Sequence, residues 1–479
     1  MPSIKKNFFY SSILTTANYI FPFLTYPYIS RVLGVNNIGI CNFIDSIINY
    51  FILFSMMGIG TVGIREIAKC KNNQEQRNQI FSNLFTLNTI STTIALITLI
   101  ILIYTVPKLY IHKELMYIGG LKLICNYLLI DWLYRGLEEF KYVTIRTILV
   151  KCLYVVAIFI FIHHANDYKI YYLISCLMIT VNAIFNGTYA RKFVKLSFSK
   201  IRIKSYLYPF LILGVYTILT SMYTSFNVAY LGFVTNETEV GYYTTATKLY
   251  NILLAVFTAF TGVLLPRMSS LLSENKKDEF KSLLQKSINI LFTFSIPAII
   301  ISTIMAPEII QIIAGNGYEG AITPMRIVMP LMLIIGYEQI LVIQTLMPLK
   351  KDKAILFNSI LGATIGISMN LLLVNSYKSI GSSIVWLTSE LTVLSIAQYF
   401  VYKYIKLSFP NKQLIKNILC YIPLIICICI IHSFNLNEFI SLFIGGSITL
   451  IYCLILQIFL LKNPIIVQYY QKIVQKRIN

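Results

Sequence analysis

A series of uninterrupted apolar runs, each roughly 18 to 25 residues long and separated by short polar breaks, restricts this chain more than any other feature. A helix rises about 1.5 Å per residue, so about 20 apolar residues cross roughly 30 Å of hydrocarbon. Read in order, the runs predict about fourteen spanning helices, near 8–30, 38–60, 80–105, 116–136, 143–162, 169–190, 207–231, 241–265, 286–306, 323–347, 354–375, 380–402, 417–433 and 438–461. Lipid offers the backbone no hydrogen bonds, so the expected fold class is an all-α polytopic membrane protein. Charged residues make up 12% of the chain, about half the share of an ordinary soluble domain. Lys5 and Lys6 lead into Phe8–Ile29, which is too long for a secretory h-region and lacks a small-residue cleavage site, so the first helix is expected to stay.

Charge sets the expected orientation. With the N-terminus inside, thirty-one of the 40 basic residues fall on inner connections, Arg135, Lys141 and Arg146 among them. Six fall outside (Arg31, Lys108, Lys113, Lys169, Arg326 and Lys378), and Lys122, Lys151 and Lys248 lie within helices. The bias predicts a bacterial cytoplasmic (inner) membrane protein with both termini cytoplasmic. Basic loops beside an anionic leaflet also account for the net charge of +21 without a nucleic-acid partner. The nine cysteines lack paired CxxC spacing and read as reduced apolar residues, and the four histidines are too scattered to suggest a metal site. The outer loops are too short to hold an inserted catalytic domain.

A weak internal repeat is present. Leu33-Gly34, Gly39, Asn49 and Arg65 recur as Leu231-Gly232, Gly241, Asn251 and Arg267, with Asn ten and Arg twenty-six residues after the second Gly in both copies. Helices one and two then match helices seven and eight. Six helices per copy give two lobes of the same orientation, 1–194 and 206–403, joined by a basic cytoplasmic linker at 195–205. Residues 404–479 add helices thirteen and fourteen and a basic cytoplasmic tail.

An ionisable side chain at the bilayer centre costs on the order of 3 kcal/mol even on a lenient scale, so each one is expected to face protein or water. Lys248 lies roughly 10 Å along its helix from Gly241, beside Thr244, Thr245, Asn251 and Ala255, a small polar face suited to a cavity wall. Asn42, Asp45 and Asn49 occupy one face of helix two and put an acid at nearly the equivalent depth of the other half. Lys122 and Asn126 share a face of helix four. Asp131, Arg135 and Glu138 share the opposite face, where an intrahelical ion-pair ladder is the simpler reading. Lys151, Glu338 and Glu390 suit either a cavity wall or a structural pair. Pro22, Pro27 and Pro330 interrupt spanning segments, and Gly58/Gly60 and Gly362/Gly366 suit close helix packing.

Three stretches carry a family resemblance. Tyr28-Ile29-Ser30-Arg31-Val32-Leu33-Gly34-Val35-Asn36-Asn37-Ile38-Gly39 resembles the first outer loop of polysaccharide repeat-unit flippases. These are the O-antigen and capsule exporters of the multidrug/oligosaccharidyl-lipid/polysaccharide superfamily. Arg65-Glu66-Ile67-Ala68-Lys69 and Asp131-Trp132-Leu133-Tyr134-Arg135-Gly136-Leu137-Glu138 are similar to further stretches of that family. The resemblance implies two six-helix lobes around a cavity, no enzymatic activity, and export of undecaprenyl-pyrophosphate-linked oligosaccharide to the outer leaflet by alternating access. It further implies work among membrane lipids alongside polysaccharide polymerase and assembly proteins. A pyrophosphate needs cations, so Lys248, Lys122, Arg31 and Lys151 are its expected partners. The polar groups Asn42, Asn49, Asn126, Thr244 and Asn251 would meet the sugars. No cofactor is expected, and an H+ or Na+ gradient would act through Asp45, Glu338 or Glu390. Two alternatives are a cation-coupled multidrug antiporter of the same superfamily and a membrane enzyme of envelope glycan synthesis.

Overall fold

The computed structural model describes residues 4–197, 201–434 and 436–461, so Lys200 of the linker and the basic tail 462–479 lie outside the described residues. Most of those residues are helical, short turns and irregular connections join the helices, and none of the described residues is in a strand. Among the described residues twelve helices are long and apolar enough to cross a membrane, and the chain is a multi-pass membrane protein. Two of the twelve, Thr16–Lys69 and Asp352–Ile405, are 54 residues long, about 80 Å of helix and more than twice the hydrocarbon thickness. Each is broken inside. Gly34 interrupts the first with φ 75° and ψ 165°, a region essentially reserved for glycine. Lys378 interrupts the second with φ 49° and ψ −125°. Both breaks fall in loops expected outside.

The described chain forms two compact units. The first comprises residues 1–244 and 366–378, a grouping by contact that takes in part of the expected second lobe. Its elements begin with α1 (Ile4–Met56), α2 (Ile59–Lys69), α3 (Gln74–Thr105), α4 (Pro107–Ile111), α5 (Lys113–Tyr127) and α6 (Asp131–Gly136). They continue with α7 (Phe140–Phe161), α8 (Tyr168–Ala190), α9 (Lys204–Thr224), α10 (Phe226–Val234) and the first turns of α11 (Glu237–Ser273). Burial follows the solvent. Ile94, Ile97, Leu153 and Phe161 are exposed, as lipid-facing side chains should be, while Asn186, Asn227 and Asn370 are fully buried. Buried amides are tolerated because they are bonded: Asn370 Nδ2 donates to Asn227 Oδ1 at 2.8 Å.

Two of the motif stretches pack on each other. Gly63 of α2 lies against the Trp132 ring and Gly136 of α6 against Ile67, with no room for a side chain at either glycine. Phe81, Leu84, Leu133 and Tyr134 complete an apolar core around this contact. Lys71 closes it with a 2.8 Å ion pair to Glu138.

The second unit comprises residues 245–365 and 379–479. It contains the rest of α11, α12 (Lys277–Ile304), α13 (Ala306–Ile313), α14 (Ile322–Val328), α15 (Leu331–Leu341), α16 (Asp352–Met369, up to residue 365) and α17 (Asn375–Ile405, from residue 379). The C-terminal pieces are α18 (Asn411–Cys420), α19 (Ile422–Ser433) and α20 (Glu438–Ile455). Pro330 stands at the junction of α14 and α15 rather than inside a continuous helix. The appended hairpin is tied to this unit by polar contacts. His432 Nδ1 meets Glu308 Oε1 at 2.5 Å, Thr293 Oγ1 donates to Gln457 Oε1 at 3.1 Å, and Gln285 Nε2 donates to Gln413 Oε1 at 2.6 Å.

Candidate functional site

Helical spacing puts Asn42, Asp45 and Asn49 on one face of α1, and α5 brings a cation to that face. Lys122 Nζ lies 2.5 Å from Asp45 Oδ1 and donates to Asn49 Oδ1 at 2.9 Å. Asn49 Nδ2 donates to Asp45 Oδ2 at 3.1 Å, and the Tyr172 hydroxyl of α8 stands 3.5 Å from Asp45 Oδ1. Asp45 is eleven residues beyond the Gly34 break, about 16 Å along the helix, which is about halfway through a bilayer if Gly34 lies at the membrane edge as the sequence leads one to expect. Pairing removes most of the cost of holding two charges at that depth. The pair is only partly covered, with 12% of the Lys122 side chain and 37% of the Asp45 side chain exposed. A cation held by a carboxylate it can exchange for another anion is the chemistry this arrangement offers.

Two contacts join positions 202 residues apart, the offset of the expected repeat. Thr238 Oγ1 donates to Asn36 Oδ1 at 3.2 Å, and Asn42 Nδ2 donates to Thr244 Oγ1 at 3.0 Å. Between these pairs α1 and α11 touch backbone to backbone. A Cβ on Gly39 would sit 1.7 Å from the Glu237 carbonyl oxygen, and one on Gly241 would sit 2.3 Å from that of Val35. Around the same turn Lys108 donates to the Thr235 carbonyl at 2.6 Å, His112 meets Glu237 at 3.3 Å, and Lys378 meets Glu239 at 3.7 Å. Residues 235–241 thus form a latch at one end of the first unit.

The other expected site residues are dispersed. Arg31 is exposed and donates to Pro27 of its own helix at 2.7 Å. Lys151 is buried, its ammonium 3.5 Å from the Ala17 carbonyl. Asn126 lies one turn from Lys122 on α5 and is half-buried. Lys248 and Asn251 belong to the second unit, half-buried and exposed respectively. Glu390, also there, is buried and accepts from Trp386 Nε1 at 3.1 Å. Glu338 is its electrostatic neighbour.

Asp131, Arg135 and Glu138 do not form the expected ladder, because the chain breaks at Leu128–Ile130 and turns again at Glu138. Asp131 pairs instead with Arg146 of α7 at 3.1 Å. Arg146, expected on an inner connection, is buried, and it also donates to Asn186 Oδ1. Asn186 Nδ2 donates to Asp131 Oδ1 at 2.8 Å. Asn186 and Tyr172 were not singled out in the sequence, and a polar residue inside the apolar run of α8 was the signal available for Asn186.

Comparison with known proteins follows from this geometry. The model of the family described as polysaccharide biosynthesis protein matches residues 4–272, more than half of the chain. The chain belongs to that family. A protein of Escherichia coli (strain K12) named "Putative O-antigen transporter" is 27% identical over 404 residues, covering 83% of this chain and 97% of its own length. Among solved structures, lipid II flippase MurJ in an inward closed conformation superposes with a TM-score of 0.71 at 15% identity, covering 94% of this chain and 98% of that one. An outward-facing multidrug resistance MATE family transporter of the MOP superfamily gives 0.58 at 13% identity, covering 83% and 94%. At these identities the two structures establish a shared fold. The family resemblance read from Tyr28–Gly39 and the two later stretches stands.

Proposed function

We propose that this protein is a flippase, not an enzyme, that moves undecaprenyl-pyrophosphate-linked oligosaccharide repeat units from the cytoplasmic to the outer leaflet of a bacterial inner membrane. The observation that carries the reading is the Lys122–Asp45–Asn49 cluster, a partly open ion pair at mid-membrane depth. Family membership and the name of the Escherichia coli relative support it. In this reading the lipid's pyrophosphate takes Asp45's place on Lys122. The chain crosses the membrane fourteen times, the two 54-residue helices each crossing twice, with two six-helix lobes, 1–194 and 206–403, and both termini inside. The latch at residues 235–241 lies in loops expected outside and holds the outer end shut, and alternating access opens it while the polyprenyl tail stays in lipid.

A second reading, cation-coupled multidrug antiport, is favoured by the neighbouring carboxylates Glu338 and Glu390. In the first reading the same two groups would take up H+ or Na+ to drive export.

The test uses a bacterial strain whose own repeat-unit exporter has been deleted. The wild-type chain is expected to restore surface polysaccharide, and Lys122→Met at matched membrane levels is expected to leave it at the deleted strain's level. Full restoration by Lys122→Met would remove the cluster from the account. Drug resistance conferred without surface polysaccharide would favour antiport.

A further inference from the structure

One helical turn from Lys122, the first unit has an open-sided cavity of about 220 Å³ between α2, the end of α5 and α6, with Arg135 exposed at its edge. Its wall carries polar groups left without partners. The side chains of Asn126 and Arg135 make no hydrogen bond or ion pair among the described residues. Trp132 is 3% exposed and contributes to the wall, but its indole N–H is sealed within the protein and does not open onto the cavity. Asp131 Oδ1 is fixed by Arg146 and Asn186, whereas no donor among the described residues reaches Oδ2. On the α2 side the wall is Gly60, where a Cβ would meet nothing within 4 Å.

These groups belong together chemically. The Arg135 guanidinium donates, the half-used Asp131 carboxylate accepts, and the Asn126 primary amide does both. The ligand that satisfies such a set presents many hydroxyls that donate and accept at once. The broken backbone at Leu128–Ile130, where Ile130 takes φ 40°, costs strain for a β-branched residue. It separates α6 from α5 and sets Asp131 and Trp132 against the cavity wall.

We propose that this cavity is a saccharide subsite, taking the sugar joined to the pyrophosphate while the phosphates meet Lys122 a turn away. The inference rests on the flippase reading and adds the place where the glycan is recognised. Gly60 is small to leave room for the sugar ring. Asn126 and Arg135 hydrogen-bond its hydroxyls, and Asp131, held in place from behind by Arg146 and Asn186, presents its second oxygen.

The chain has two tryptophans, Trp132 and Trp386, so Trp386→Phe makes Trp132 the single reporter of its own site. The full-length Trp386→Phe protein in lipid nanodiscs is titrated with polyprenyl pyrophosphate and with the same lipid carrying one N-acetylhexosamine. Saturable change of Trp132 emission is expected with the sugar-bearing lipid at about tenfold lower concentration than with the bare one, the ratio that one or two additional hydrogen bonds would give. Adding Asn126→Ala, Arg135→Ala or Gly60→Leu is expected to abolish that preference. Gly60→Leu only fills open space, and the other two residues hold nothing in place, so folding is expected to survive all three. Equal responses to both lipids, or a preference unchanged by every one of the three substitutions, would overturn the subsite. If the Trp386→Phe protein prefers the sugar-bearing lipid but the wild type fails to translocate it between vesicle leaflets, the flippase reading fails and the saccharide site stands.

Discussion

Lys122 and Asp45 are best understood as a unit. Each was expected as a separate functional group, Lys122 for substrate and Asp45 for ion coupling, and the structure puts them 2.5 Å apart. Removing one partner leaves an uncompensated charge in the membrane, whereas removing both leaves none. Lys122→Met and Asp45→Asn are therefore each expected to lower thermal stability in detergent. The double variant should recover part of the loss, with a coupling of about 1 to 3 kcal/mol. Strictly additive losses would show that the pair does not form. Single-residue placement was partly legible in the sequence. Helical spacing put Asn42, Asp45 and Asn49 on one face, and the cost of burying charge marked Lys122 and Lys151. Which cation would meet which acid depends on how helices distant in sequence pack, and periodicity carries no information about that. Arg146 shows the same gap, since a basic residue near a helix end reads as a loop charge until Asp131 and Asn186 are found around it.

Among the elements, α1 and α11 of the first unit meet backbone to backbone at Gly39 and Gly241. Gly39 and Gly241 were noted in the sequence only as markers of a repeat, and the structure gives the physical reason for them, since neither position has room for a Cβ. Gly39→Leu should drive the two backbones apart, with a loss above about 3 kcal/mol if the protein folds at all. Its thermal transition and its yield in the membrane both read this out. A normal transition would mean that the crossing is looser than the structure has it. The glycines expected to serve packing divide. Gly58 meets the Phe210 carbonyl as a packing position should, and Gly60 faces open space. The pattern of small residues could not separate the two. The motif stretches at 65–69 and 131–138 were legible as motifs, and their packing as α2 against α6 was not.

For the whole molecule, the all-helical class follows directly from run length, because the hydrocarbon leaves no other choice, whereas about fourteen spans were expected and the described residues form twelve long apolar helices. Both breaks within the long helices fall where the sequence separates two apolar runs, Gly34 between 8–30 and 38–60 and Lys378 between 354–375 and 380–402. The six basic residues expected outside are all occupied. Arg31, Lys108 and Arg326 donate to carbonyls, Lys169 and Lys378 meet carboxylates, and Lys113 lies over the Tyr110 ring. Cysteines introduced at Lys169 and Lys353 in a chain without its own cysteines should be blocked by a membrane-impermeant maleimide from opposite sides. Lys169→Cys should react in intact cells, and Lys353→Cys only in inverted vesicles. Labelling of both from one side would contradict the orientation. The central claim is transport of a lipid-linked glycan through a cationic site. Its most direct test is translocation of fluorescent undecaprenyl-pyrophosphate oligosaccharide in proteoliposomes, wild type against Lys122→Met. Wild-type translocation that falls to the rate of protein-free vesicles in the variant is the predicted result. Equal rates for the two proteins would contradict the site, and a wild type no faster than empty vesicles would contradict the function.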